Sequence, residues 1–209
     1  MIPNGVDEQL LHIERDYTAI HSRPIRLLTV SALIKRKAVS RIIEALAEVT
    51  ADPLPTLTIV GDGPEYENLR SLVTRLKLDE RVEFAGYADP DTIHRYLAAA
   101  DIFVLASESE GRPNVILEAM ASGMAIISSR IDGVIELIDD GKSGLLFEMG
   151  NAGDLAGKIS QLASAPELMQ QMGHAARSFI KDKGLLWPNT GLRYAELYRQ
   201  CMDGKDQAL

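Results

Sequence analysis

Ile102-Phe-Val-Leu-Ala-Ser-Glu-Ser-Glu-Gly-Arg-Pro-Asn-Val-Ile-Leu-Glu-Ala-Met-Ala-Ser-Gly123 runs from a short apolar stretch through a polar turn into a helix-forming one. Ile102–Leu105 reads as a strand. Val115–Ala121 has the composition and length of a helix, and Gly123 is placed to stop it. Pro113 suits the first helical position, where its missing N–H has no intrahelical partner to lose. A strand, a glycine-bearing turn and a helix N-terminus make an anion site, with free backbone N–H groups aimed at a phosphate. Glu110 and Glu118 flank it, eight residues apart. Facing a diphosphate they would repel it. They make sense as acceptors for hydroxyl groups on either side of one, as in a nucleotide with a sugar at each end.

Strand–helix alternation continues in both directions. Strands are expected at Arg26–Val30, Thr56–Val60, Val82–Phe84, Ile102–Leu105, Ala125–Ser128 and Gly144–Phe147. Helical periodicity falls at Lys37–Val49, Glu65–Leu76, Asp89–Ala99 and Val115–Ser122, with a shorter Val134–Ile138. The strands are continuous apolar runs, as expected when helices cover both faces of a parallel sheet. Alternation with short connections predicts a doubly wound, Rossmann-like α/β sheet. Its core spans about residues 25–148. Beyond Phe147 the pattern turns helical, with Ala152–Ser164, Glu167–Phe179 and Leu192–Met202 filling about residues 152–203. One domain over residues 1–209 accounts for the chain. In the common strand order 3-2-1-4-5-6, ligands bind where the order reverses, between strands one and four. The loops there are Ser31–Lys37, with its basic cluster Lys35-Arg36-Lys37, and Ser107–Pro113, with Glu110.

Composition narrows the functional classes. A chain of 209 residues that is 46% hydrophobic can bury a proper core. A net charge of -8 argues against nucleic acid as a partner. No apolar run reaches the length of a membrane span. The N-terminus has neither a basic start nor an apolar signal stretch, and the single cysteine, Cys201, fits a reducing compartment. A cytoplasmic location is expected.

The remaining motifs divide between chemistry and plain structure. Gly61-Asp-Gly-Pro64 is a turn after the second strand, with Pro64 suited to open a helix. Tyr66 stands where a dinucleotide fingerprint wants its third glycine, so a nicotinamide site is not expected. Asp89-Pro-Asp91 is an N-cap followed by proline rather than a metal motif, and Asp139-Asp140 belongs to a turn. The four histidines (His12, His21, His94, His174) lack ligand spacing, and His94 is expected to be structural. Ser107 and Ser109 lack the glycine elbow and base of a hydrolase. Trp187, Tyr194 and Tyr198 recur at helical intervals, either as core packing or as a surface with nothing opposite.

The Glu110–Glu118 segment resembles the E-x7-E motif of retaining glycosyltransferases of the GT-B fold, family 4 in particular. The resemblance takes in Ile2–Asp7, Leu27–Lys37, Val60–Pro64, Val82–Gly86, Glu118–Gly123 and Asp132–Phe147, in the family's order. It implies half of a GT-B fold, the C-terminal donor-binding domain, with the N-terminal acceptor domain absent. It implies that Glu110 orients the transferred sugar and Glu118 holds the ribose. Lys37 would stabilise the diphosphate leaving group, with Gly111, Arg112, Asn114 and Val115 around the diphosphate and sugar. Gly61 and Gly63 would border the nucleotide, Gly86 and Tyr87 the base, and Glu136 would come near the site. The substrate would be a nucleoside-diphosphate sugar; no cofactor and no metal are expected. The chain departs from the family at Ser31-Ala32, where Gly-Arg is usual. The resemblance also implies a partner, a separate acceptor-domain polypeptide, and leaves peripheral membrane contact open. Two functions fit: a donor-binding half of a glycosyltransferase, or a non-catalytic nucleotide-sugar-binding or interaction module of the same ancestry.

Overall fold

The computed structural model describes residues 3–15, 17, 20 and 23–206, with side chains as far as residue 202. Ile2 and His21 lie outside the described residues. Six parallel strands form one sheet: β1 (Arg26–Val30), β2 (Thr56–Val60), β3 (Val82–Gly86), β4 (Ile102–Leu105), β5 (Ala125–Ser129) and β6 (Leu145–Phe147). Their order is β3-β2-β1-β4-β5-β6, so the chain reverses its direction of travel between β1 and β4. The described helices are α1 (Val39–Glu48), α2 (Tyr66–Arg75), α3 (Pro90–Ala99), α4 (Asn114–Ala121), α5 (Asp132–Ile135), α6 (Ala152–Ala163), α7 (Pro166–Asp182) and α8 (Trp187–Asp206).

Strand alternation divides the core into two layers. Ile102 and Val104 point to one side with Leu27, Ile59 and Phe147, under α1, α2 and α6. Phe103 and Leu105 point to the other with Leu28, Ile126 and Leu146, under α3, α4 and α5. Helix α7 contributes Met169 and Met172 to the first layer and Ala176 and Ile180 to the second. The central strands are buried on both faces, which is why their sequences carry no polar alternation.

Three local expectations are corrected. The segment read as one helix from Lys37 breaks in two: Lys35–Lys37 form a 3-10 turn, and α1 begins only at Val39. Between them Ala38 is left-handed, at φ 48° and ψ 36°. The Arg36 carbonyl, which a continuous helix would use internally, instead accepts from the Glu108 N–H at 2.9 Å. Pro113, at ψ 112°, is the cap before α4 rather than its first residue. Pro64 likewise precedes α2, in a turn whose Glu65 N–H donates to the Leu33 carbonyl at 2.9 Å.

Helix α8 settles the two readings of the C-terminal aromatics. With α1–α7 already covering the sheet, Trp187, Leu192, Tyr194, Leu197, Tyr198 and Met202 stay exposed. The N-terminal segment is stitched to the start of this helix. Val6 donates to the Leu185 carbonyl at 2.9 Å, and Trp187 donates to that of Val6 at 3.1 Å. No described helix is long and apolar enough to cross a membrane.

Candidate functional site

Strands β1 and β4 are neighbours, so the turns at their carboxyl ends face each other across one strand spacing. The turn after β4 is built by serines. Ser107 is fully buried; its carbonyl accepts from Ser129 Oγ of β5 at 2.6 Å, and its own hydroxyl donates to Glu110 Oε1 at 2.8 Å. The same carboxylate oxygen accepts from Lys37 Nζ at 2.5 Å. Arg36 Nη1 lies 3.8 Å from the other oxygen and donates to the Ser109 carbonyl at 2.5 Å. One carboxylate, nearly buried, thus sits between two cations from the opposite turn.

Helix α4 carries the second carboxylate. With Asn114 as its first residue, Glu118 is the fifth, one turn in, tilted back toward the N-terminus. It is half-buried, and no hydrogen bond reaches its carboxylate from any described residue. Burial pushes its carboxyl above the ordinary range, and His94 on α3 partly opposes that shift. His94 thus acts electrostatically on a site residue, which its sequence position did not suggest.

The far end of α4 is anchored. Gly123, at φ +69°, closes it in a Schellman arrangement: its N–H reaches the Met120 carbonyl at 3.0 Å, and Met124 reaches Ala119 at 3.2 Å. Two guanidinium groups then take the carbonyls that remain. Arg15 donates to Leu97, Ala100 and Ser122, and Arg177 to Ile13, Ala121 and Ser122. Burial lowers the Arg15 pKa to about 10, and Tyr17 and Asp101 pull it back up. It stays charged at neutral pH and complements the negative end of the helix.

The expected site residues fall into three groups. Lys37 and Glu110 are in direct contact, with Glu118 on the adjoining helix. Gly111 and Arg112 are exposed in the turn. Asn114 accepts from the Asn4 side chain at 3.0 Å, and Val115 packs into the second core layer. Gly61 and Gly63 work through the backbone: a Cβ on Gly61 would lie 1.9 Å from the Ser31 carbonyl, and one on Gly63 2.5 Å from that of Leu33. They let the turns after β1 and β2 zip together. Gly86 ends β3, and Tyr87 beside it is 81% exposed. β3 is three strands from β4, roughly 14 Å at the usual strand spacing. Glu136 is exposed at the end of α5, with no hydrogen bond to the others among the described residues.

Asp89 is the expected N-cap, accepting from the Thr92 N–H at 2.8 Å. Asp140 accepts from the Leu146 N–H at 2.9 Å, in keeping with a turn. No three His, Cys, Asp or Glu residues among those described are grouped to hold a metal.

The sequence profile of "Glycosyl transferases group 1" matches residues 13–179. The chain belongs to this family. Among similar group 1 transferases and related enzymes is N-acetyl-alpha-D-glucosaminyl L-malate synthase of Bacillus anthracis. It is 33% identical over 186 residues, covering 86% of this chain and 48% of that protein. HepE of Anabaena, solved in complex with UDP and glucose, superposes with a TM-score of 0.83 at 25% identity, over 94% of this chain and 55% of its own. The C-terminal domain of the group 1 protein LpcC from Francisella tularensis gives a TM-score of 0.75 at 26% identity. There the match covers 86% of this chain and 98% of the other. This group 1 chain therefore spans about half the length of the full-length relatives and nearly all of an isolated C-terminal domain.

Three contributors to the site escaped the sequence reading. Ser107 and Ser129 order the Glu110 turn. Gly133 packs beneath it: a Cβ there would lie 2.3 Å from the Glu110 carbonyl and 2.4 Å from that of Gly111. The only sequence sign was a glycine inside Asp132–Glu136.

Proposed function

We propose that this chain is the donor-binding half of a retaining, family 4 glycosyltransferase, taking a sugar from a nucleoside-diphosphate sugar to a hydroxyl acceptor. The observation that carries the reading is the Lys37–Glu110 contact across the β1/β4 crevice, beside the N-terminus of α4. The cation, the carboxylate and the first-turn N–H groups of α4 then surround one volume. In this reading the diphosphate meets Lys37 and the helix N-terminus, and Glu110 turns to the hydroxyls of the transferred sugar. Glu118, whose carboxylate no described residue hydrogen-bonds, takes the ribose diol. As the anomeric bond breaks, negative charge grows on the departing phosphate, and Lys37 stabilises it in place. A metal is not invoked.

The acceptor half is assigned to a separate polypeptide, or to chain outside this sequence, and the site works in the cytoplasm. Donor and acceptor must be held together with water excluded, and one wall of a cleft does not do that. The exposed apolar side of α8 and the half-length match favour this arrangement. They favour equally the second reading, a non-catalytic nucleotide-sugar-binding module that completes another protein.

Calorimetric titration with UDP, GDP and ADP, beside a Glu118→Ala control, tests the donor site. UDP comes first because HepE was solved with it. Binding of one diphosphate that weakens roughly tenfold or more in the control supports the reading. A folded chain that binds none of the three refutes it.

A further inference from the structure

We propose that Arg36 is the second phosphate-binding cation of this site, acting beside Lys37; the inference rests on the donor-site reading above. A nucleoside diphosphate spreads its negative charge over two phosphate groups, and a lysine ammonium is a compact point charge that matches one. Ser31-Ala32, at the end of β1, are uncharged, and the exposed Lys35 side chain makes no hydrogen bond or ion pair among the described residues. Arg36 supplies one by geometry. Its carbonyl accepts from the Glu108 N–H at 2.9 Å, and its Nη1 donates to the Ser109 carbonyl at 2.5 Å. Backbone and side chain both lace it to the turn that carries Glu110.

The charges around Glu110 do not cancel. Its one carboxylate lies 2.5 Å from Lys37 Nζ and 3.8 Å from Arg36 Nη1, which leaves one positive charge over in a protein of net charge -8. The Lys37 side chain is 19% exposed and that of Arg36 is 50% exposed. A ligand therefore reaches Arg36 without displacing it. A guanidinium carries five donors, and Ser109 engages one of its nitrogens, so others stay available to a phosphate. Lys35 precedes Arg36 in the same turn, has no hydrogen bond or ion pair to the Glu110 turn among the described residues, and serves as the comparison.

The test compares UDP with UMP by calorimetry in the full chain, in Arg36→Ala, Arg36→Lys and Lys35→Ala. GDP/GMP or ADP/AMP replaces the pair if another base binds. The expected result is a ten- to hundred-fold loss of UDP affinity in Arg36→Ala. The UDP/UMP affinity ratio should shrink, the salt dependence should flatten, and Arg36→Lys should recover part of the loss. Equal loss of UDP and UMP would show that Arg36 merely props the turn, and would overturn the proposal. So would unchanged binding in Arg36→Ala, or a loss confined to Lys35→Ala. If the unaltered chain binds no nucleotide, the donor-site reading falls and this falls with it.

Discussion

Glu118 is held at a cost to the ligand-free protein. Burial raises its carboxyl above the ordinary range, so the folded state ionises it less readily than the unfolded chain does. As pH rises from the ordinary carboxylate value through the raised one, the folded chain must ionise a group that it keeps reluctantly, and stability falls. Below the ordinary value both states are protonated and nothing is lost. Glu118→Gln should therefore raise the melting temperature at pH 7 and change it much less at pH 4, while weakening nucleoside-diphosphate binding roughly tenfold or more. Differential scanning calorimetry at the two pH values, paired with the titration, checks both halves. Ala38 carries a separate strain. A side chain in the left-handed region costs roughly 1–2 kcal/mol, and glycine returns roughly 0.5–1 kcal/mol of that through its freer unfolded chain. Ala38→Gly should gain about 0.5–1 kcal/mol, read as a higher urea midpoint at unchanged slope.

At the scale of elements, the site depends on a helix that never supplies a side chain to it. Gly133 in α5 touches the carbonyls of Glu110 and Gly111 so closely that a methyl group has no room. Either α5 retreats or the turn moves, and overpacking of this kind costs about 1–3 kcal/mol. Gly133→Ala should weaken nucleotide affinity by more than its effect on melting would suggest, because the displaced atoms belong to the site. Titration and thermal melting of the same sample separate the two. Such contacts explain what the sequence could and could not tell. Strands β1, β2 and β4 were legible to the residue: β4 is an unbroken apolar run buried on both faces, and β1 and β2 are short aliphatic and β-branched runs. Glu110 and Glu118 stood out as a candidate pair because their spacing and frame are local, and Lys37 through the family resemblance. The 3-10 turn at Lys35–Lys37 was not, since a hydrogen bond from Glu108, far along the chain, decides it. Nor were Ser107, Ser129 and Gly133, which act through backbone atoms brought close only by the sheet.

In the whole molecule, the two ends of the strands divide stability from function. At the amino ends of the strands, opposite the site, Asp101 is 5% exposed and accepts from Arg23, from the Arg26 side chain and from the Arg26 N–H. Burial is the largest single influence on its carboxyl and pushes upward, but these hydrogen bonds together hold it below the ordinary range. A depressed carboxyl contributes stability that is fully present above the unfolded-chain value and lost as pH falls through the folded one. Asp101→Asn should cost about 1–2 kcal/mol at pH 7, reduced because both arginines are partly exposed, and the difference should close under acid. Urea unfolding at pH 7 and pH 3 measures it, with nucleotide affinity expected to hold. The seam between Val6 and the start of α8 has a mechanical meaning. Val6 and Leu186 run parallel, and Thr190 reaches the Pro3 carbonyl at 3.2 Å. Pulled apart by its two ends, the chain loads that seam in shear, stressing its bonds together rather than one after another. Tension borne by α8 is thus shared with the opposite terminus before any of it reaches the sheet.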